Sequence, residues 1–150
     1  MQTFEELLST HANEILAYAL RLTGDRDDAD DVFQETFLAA FGAWHRARQD
    51  NLRAWLYRIA TNKALDRRRR ARRLVRLDGL ALEAAAHDGW SSLDLARSIR
   101  ALPESERAAF VLRRLQDLPY ADVARALGCS EAAARQRVSQ ATRKVREALR

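Results

Sequence analysis

Tyr120-Ala121-Asp122-Val123-Ala124-Arg125-Ala126-Leu127-Gly128-Cys129-Ser130-Glu131-Ala132-Ala133-Ala134-Arg135-Gln136-Arg137-Val138-Ser139-Gln140 reads as two helices joined by a tight turn. Val123, Ala124 and Leu127 share one face of a short first helix, over 120–127. Ala124 is small where a second helix must cross closely. Gly128 stands where the chain leaves the first helix, a position that favours positive φ. Cys129 is apolar and fills the turn, and Ser130 is a good N-cap. The second helix, from Glu131 to about Leu149, buries Ala134, Val138, Ala141 and Val145. It leaves Arg135, Gln136, Arg137, Ser139, Gln140 and Arg143 to solvent. Those residue types suit DNA: arginine forks onto guanine, glutamine bridges the adenine edge, and serine and further arginines hold phosphates. A helix presented in this way fits the major groove. The competing reading is an ordinary helical hairpin with a solvated polar face.

Two more helices precede this pair. One spans Ser92 to Leu102 with Leu95, Ile99 and Leu102 as its apolar face. The other starts at Pro103, whose missing N–H costs nothing in a first turn, and runs to about Leu115. Asp117-Leu118-Pro119 then turns the chain. Residues 92–150 thus form a four-helix domain. Residues 74–91, with two glycines and polar residues mixed among apolar ones, read as a linker with room for a short extra helix.

Residues 1–73 read as an N-terminal helix bundle. Helix one, from Thr3 to Leu22, carries an apolar stripe of Phe4, Leu7, Leu8, Ile15, Tyr18, Ala19 and Leu22, and Thr23-Gly24-Asp25 stops it. Helix two, from Asp27 to Trp44, buries Ala29, Val32, Phe33, Thr36, Phe37, Ala40, Phe41 and Trp44. Aspartates 25, 27, 28, 30 and 31 crowd its start, where carboxylates cap free N–H groups and meet the positive end of the dipole. After the polar loop His45 to Asn51, helix three runs from Leu52 to Arg70 or beyond. Leu52, Trp55, Leu56, Ile59, Ala60 and Lys63 share a face. Trp55 belongs to the core or stacks on a base; Tyr57, off the stripe, is expected at the surface. No strand candidate occurs, so the fold class is all-α, with two small helical domains joined by a linker.

The charge is divided between these parts. Residues 1–50 hold 4 basic and 10 acidic residues; residues 51–100 hold 12 and 5, and residues 101–150 hold 10 and 6. The net charge is +5 over 150 residues, and 24 of the 26 basic residues are arginine. Seven of them fall between Arg67 and Arg76, more than solubility needs. Guanidinium groups pair bidentately with phosphate, so the basic back half favours a polyanion such as nucleic acid. The 47% hydrophobic content excludes a disordered chain. One cysteine excludes an intramolecular disulfide framework and a Cys-based metal cluster. No apolar run approaches the ~18 residues of a membrane span, and the N-terminus lacks a signal-peptide pattern. No membrane insertion is expected, and a cytoplasmic location is.

Three segments carry a family resemblance. Leu22-Thr23-Gly24-Asp25-Arg26-Asp27-Asp28-Ala29-Asp30-Asp31-Val32-Phe33-Gln34-Glu35-Thr36-Phe37 resembles region 2.2 of the extracytoplasmic-function (ECF) sigma factors of bacterial RNA polymerase, within the sigma-70 family. Ala54-Trp55-Leu56-Tyr57-Arg58-Ile59-Ala60-Thr61-Asn62-Lys63-Ala64-Leu65-Asp66 resembles regions 2.3 and 2.4. Ala101-Leu102-Pro103-Glu104-Ser105-Glu106-Arg107 with the helix-turn-helix resembles region 4. The resemblance implies that residues 1–73 bind core polymerase and the −10 promoter element, and that residues 92–150 read the −35 element. On helix two, Asp31, Gln34, Glu35 and Leu38 lie opposite the core stripe, an apolar anchor among carboxylates suited to a basic helical partner. The family's partner for this surface is the β′ clamp helices; for the whole chain it is core polymerase including the β flap, with promoter DNA and an anti-sigma factor. Helix three, by resemblance, opens the duplex. Asn62 and Asp66, one turn apart, face DNA. Arg53, Arg58, Lys63, Arg67 and Arg70 hold phosphates, Tyr57 supplies a surface aromatic, and the loop His45 to Asn51 captures a flipped base.

This sequence departs from the pattern in the recognition helix. Ala132-Ala133-Ala134 replaces a frequent Gly-Thr-Val, removing a hydroxyl available to phosphate. Gln140 and Thr142 stand where arginines are frequent. The arginine run 67–70 offers sequence-independent affinity in compensation. No fused sensory domain is expected after region 4.

Catalysis needs converging groups, and His11, His45 and His87 are scattered without metal-spaced partners. There is no Gly-rich phosphate loop, and the aspartates at 25–31 lack calcium-loop spacing. No enzymatic activity, cofactor or metal is expected. Two other functions remain open from the residues alone. One is a stand-alone helix-turn-helix DNA-binding transcriptional regulator that dimerises through its N-terminal bundle. The other is a polymerase-binding inhibitor that has lost promoter recognition.

Overall fold

The computed structural model describes residues 1–78 and 93–150, with the side chains of 72–78 excepted. Helix α1 (Phe4–Thr23) starts at a capping box: the Thr3 hydroxyl accepts from the Glu6 N–H, and the Glu6 carboxylate accepts from the Thr3 N–H. It ends at Gly24, whose φ of 81° is left-handed. A Cβ there would meet the Arg100 guanidinium at 2.6 Å, a contact that flexible side chain could yield, so it is the backbone conformation that requires glycine. Helix α2 (Arg26–Gly42) starts on the Asp25 side chain, which accepts from the Asp28 N–H at 3.1 Å. A 3₁₀ turn, Trp44–Arg46, leads to α3 (Leu52–Asp78). That helix extends through the first five residues assigned above to the linker; the remainder, 79–91, lies outside the described residues.

In the second half α4 (Leu93–Arg100) is followed by α5 (Glu104–Phe110), which widens into a π-helical turn over Val111–Leu115. The end of α4 is closed by Arg107, only 3% exposed. Its guanidinium donates to the carbonyls of Ile99 at 3.1 Å, Leu102 at 3.0 Å and Arg100, at and just beyond the helix end, where carbonyls run short of helical partners. Helix α6 (Tyr120–Leu127) and α7 (Glu131–Ala148) form the expected pair. Gly128 has φ 68°, and the Ser130 hydroxyl caps α7 by accepting from the Ala133 N–H.

Tyr18, Val32, Leu56 and Ala60 centre the first half; Ile99, Leu112, Val123, Val138 and Ala141 centre the second, and all are buried. Apolar residues of both halves merge into one continuous core, because α3 packs on α1 and α2 with one side and on α6 with another. Each half alone is small enough to be marginal, and docking adds buried surface to both. Phe41, expected in the core, is 65% exposed, its ring meeting that of Phe4 edge-on at 5.1 Å. Trp55 is half-buried and packs on the core beside Trp44, as the core reading expected. Among the described residues no helix is long and apolar enough to cross a membrane.

Candidate polymerase and nucleic-acid interfaces

The outer face of α2 carries the first candidate surface. Leu38 is 71% exposed beside exposed Asp31, exposed Gln34 and half-buried Glu35. An apolar side chain among carboxylates offers a partner helix both an anchor and a charge complement. Arg67 of α3 reaches this same face. Its guanidinium pairs with Asp28 at 3.0 Å, Asp31 at 3.1 Å and Glu35 at 3.5 Å. Burial disfavours its charge, but the three carboxylates outweigh that and strengthen it. Arg67, expected to hold phosphate, therefore serves as a clamp between α2 and α3; the spacing of α3 alone could not show carboxylates more than 30 residues away.

On α3, Arg58, Asn62, Asp66, Arg69 and Arg70 are exposed and Lys63 is half-buried. Asn62 and Asp66 share the predicted face. Tyr57 does not: it is wholly buried, contrary to the surface position expected from its place off the apolar stripe. Its ring packs edge-on against Tyr18, 5.0 Å between centroids, and its hydroxyl donates to Glu14 at 2.7 Å. The helix is covered on more than one side, so a single stripe underestimates its buried face. Burial, together with the Glu14 carboxylate, pushes the Tyr57 hydroxyl's pKa up, keeping it a donor.

Gln116, from the turn after the π-helical segment, closes this centre from the second half. Its amide nitrogen donates to the Tyr57 hydroxyl at 2.8 Å and to the Glu14 carbonyl at 3.1 Å. Its side-chain oxygen accepts from Arg21. Arg53 donates to Glu14 at 2.9 Å and to the Gln116 carbonyl at 3.4 Å. Further along the seam Asn51 donates to Asp122 at 2.9 Å, Arg58 to the Arg125 carbonyl at 3.3 Å, and Arg100 to the Gly24 carbonyl at 2.6 Å. Arg53, Tyr57 and Arg58 are thus turned to the C-terminal half in this arrangement. Neither Glu14 nor Gln116 was singled out by sequence; each looks like an ordinary solvated residue, and all its partners but His11 lie 39 to 102 positions off.

Burial opposes ionisation of Glu14, but hydrogen bonds from His11, Tyr57 and Arg53 outweigh it and hold the carboxyl below its ordinary value of 4.5. A lowered folded-state pKa stabilises in full above the unfolded value, and that stabilisation is lost as pH falls through the folded one. The melting-temperature gap between wild type and Glu14→Gln is therefore expected to be largest at neutral pH and to shrink below pH 4.5. Thermal unfolding across pH checks this; a gap that widens in acid would contradict it.

The second surface is the outer face of α7. Arg135, Gln136, Ser139 and Arg143 are exposed, and Arg137 and Gln140 half-buried, so the expected face is presented. The sequence did not single out Tyr120, at the start of α6. The Arg135 guanidinium lies over its ring at 4.3 Å and that of Arg113 at 4.8 Å. Beside it a shallow basic groove of about 410 Å³ is lined by Ser139, Arg114, Arg143, Arg146 and Arg150. Cys129 packs against the core at the turn. Among the described residues no cluster of His, Cys, Asp or Glu is placed to hold a metal ion.

Comparison with known proteins assigns this architecture. The description Sigma-70 region 2 matches residues 7–74, and Sigma-70, region 4 matches residues 92–145. The ECF RNA polymerase sigma factor SigE of Mycolicibacterium smegmatis is 31% identical over 99% of this chain, which spans 62% of that relative's length. The RNA polymerase sigma-H factor of Pseudomonas aeruginosa is 30% identical over 99% of the chain and 86% of its own length. Among solved structures, the sigma factor RpoE in complex with the anti-sigma factor NepR, from Bartonella quintana, aligns with a TM-score of 0.86 and 27% identity, covering 97% of this chain and 96% of that one. CnrH in complex with the cytosolic domain of CnrY aligns with a TM-score of 0.72 and 32% identity, covering 97% and 86%. With both regions matched in order, relatives aligned over nearly the whole chain and the same helices in the same arrangement, the chain belongs to the ECF sigma factors of RNA polymerase.

Proposed function

We propose that this chain directs core RNA polymerase to specific promoters and initiates DNA opening at the −10 element, without enzymatic activity of its own and in the cytoplasm. The observation that carries the reading is the pairing of two surfaces on one chain: an exposed apolar anchor among carboxylates on α2, and a polar, arginine-bearing recognition helix behind a capped turn. A stand-alone DNA-binding regulator that dimerised through this face of its N-terminal bundle would set two like acidic surfaces against each other, which repel. We divide the chain into a region 2 domain at 1–73, a linker at 74–91 and a region 4 domain at 92–150.

In this reading Asp31, Gln34, Glu35 and Leu38 meet the β′ clamp helices, and region 4 meets the β flap. Arg135, Gln136, Arg137, Ser139, Gln140 and Arg143 read and hold the −35 duplex. Arg58, Asn62, Lys63, Asp66 and Arg70 serve the −10 element, and Arg53 joins them once the halves part. Relatives whose structures contain anti-sigma factors support such a factor as a partner here.

Transcription in vitro with core polymerase on sheared genomic DNA tests the whole proposal. New start sites that depend on this chain and share a −10/−35 pair are the expected result; neither start sites nor co-elution with polymerase would sink it. Asn62→Ala is expected to slow strand opening about 10-fold, the equivalent of one lost base-edge contact, with closed-complex binding little changed. Fluorescence of a base analogue in the −10 segment reads the difference, and unaltered opening would remove Asn62 from the site.

A further inference from the structure

We infer that Tyr120 is a positioning residue for upstream promoter readout: its ring holds the Arg135 guanidinium ready for one base pair. This rests on the assignment of α7 to the −35 element. Arg135 is an exposed side chain, 61% accessible, on the outward face of α7. An arginine so exposed samples many rotamers, and fixing it on a base costs that freedom. Here it is not left to wander. Its guanidinium lies 4.3 Å from the centroid of the Tyr120 ring. Tyr120 is itself half-buried and carries a second guanidinium, that of Arg113, at 4.8 Å. Arg113 is tied to the turn before α6 by a hydrogen bond to the Leu118 carbonyl at 3.3 Å. The ring is thereby anchored to the first helix of the pair while it supports a side chain of the second.

Stacking occupies the flat face of a guanidinium and leaves its N–H edge unused. That edge is the part that forks onto guanine. The other neighbour, Glu131, lies 3.9 Å away on the same helix. An exposed pair at that distance is weak and screened by salt, so the ring is the stronger guide. Tyr120 also lines the basic groove, together with Ser139 and Arg143.

The test uses holoenzyme assembled from the full chain and core polymerase, and a duplex library randomised across the upstream element. Arg135→Ala should erase the base preference at one position. Tyr120→Leu should reduce discrimination at that same position about 2- to 5-fold, the weight of an exposed cation–π contact, and leave the other positions alone. Tyr120→Phe, which keeps the ring, should retain it, and the Tyr120→Leu, Arg135→Ala double variant should be no worse there than Arg135→Ala. In the DNA-free chain, ring-current shifts of the Arg135 δ-methylene protons should vanish in Tyr120→Leu and persist in Tyr120→Phe. Uniform weakening at every position in Tyr120→Leu would mean a structural role at the helix start and overturn the inference. So would loss in Tyr120→Phe equal to that in Tyr120→Leu, or unchanged Arg135 shifts without the ring. A wild-type holoenzyme that enriches no upstream sequence would overturn the −35 assignment itself, and the inference with it.

Discussion

Leu38→Arg is expected to weaken binding to core RNA polymerase about 30-fold, the equivalent of about 2 kcal/mol for an interface anchor. Leu38 is 71% exposed, so the change should leave the melting temperature near that of the wild type. Two effects add. The apolar anchor is lost, and a cation is set into a face whose carboxylates, Asp31 and Glu35, are suited to a basic partner. Arg67 already draws on both carboxylates, so a new arginine competes with it as well as repelling the partner. Asp31→Arg should act in the same direction with a smaller effect, because it removes charge but no apolar contact. Competition for core polymerase against wild type measures both. Wild-type affinity in Leu38→Arg would place the polymerase elsewhere on the chain.

Gln116→Leu is expected to part the two halves. Gln116 is 9% exposed, and its one side chain serves Tyr57, Arg21 and the Glu14 carbonyl. Leucine fills much of the volume but leaves the Tyr57 hydroxyl and the Arg21 guanidinium each short of a partner. The Tyr57 hydroxyl keeps Glu14 and Arg21 keeps the Leu115 carbonyl, so each lost bond costs about 1 kcal/mol, and the two together lower the docking equilibrium constant roughly 30-fold. Solution X-ray scattering should show a larger radius of gyration with helical content retained. Parting should also release Arg53 and Arg58, so affinity for single-stranded DNA should rise and depend more steeply on salt. An unchanged radius together with unchanged DNA binding would mean that other contacts along the seam, such as Asn51 with Asp122, suffice for docking.

Docking has a consequence for how the surfaces are used. The recognition face of α7 and the Leu38 face of α2 are both open in the docked arrangement, whereas part of the α3 surface is covered. On the proposed assignment of these surfaces, a chain in this form would meet polymerase or a −35 duplex before its −10 surface is complete.

Local chemistry made much of the fold legible in the sequence. Thr3, Asp25 and Ser130 cap helices with their own side chains, and Gly24 and Gly128 end helices by a φ that other residues rarely adopt. These signals act over a few residues, so a linear reading finds them. The outward face of α7 was legible for the same reason, since its buried set, Ala134, Val138, Ala141 and Val145, follows a single helical period. That Leu38 stands opposite the core stripe followed from the same periodicity on α2.

The sequence by itself thus determined seven helical segments, the turn at Gly128 and the two outward faces. Tertiary structure alone decided what lies between the halves. A period predicts one buried face per helix, but α3 is covered from two directions, and so Tyr57 is interior. Phe41 fits the period of α2 and is still exposed, at the edge of the bundle beside Phe4. Arg67 belongs to a cationic run by sequence and to three carboxylates in space. Charge and hydrogen-bonding partners are set by distance through space, and the partners of Glu14, Arg67 and Gln116 come together only when whole helices pack.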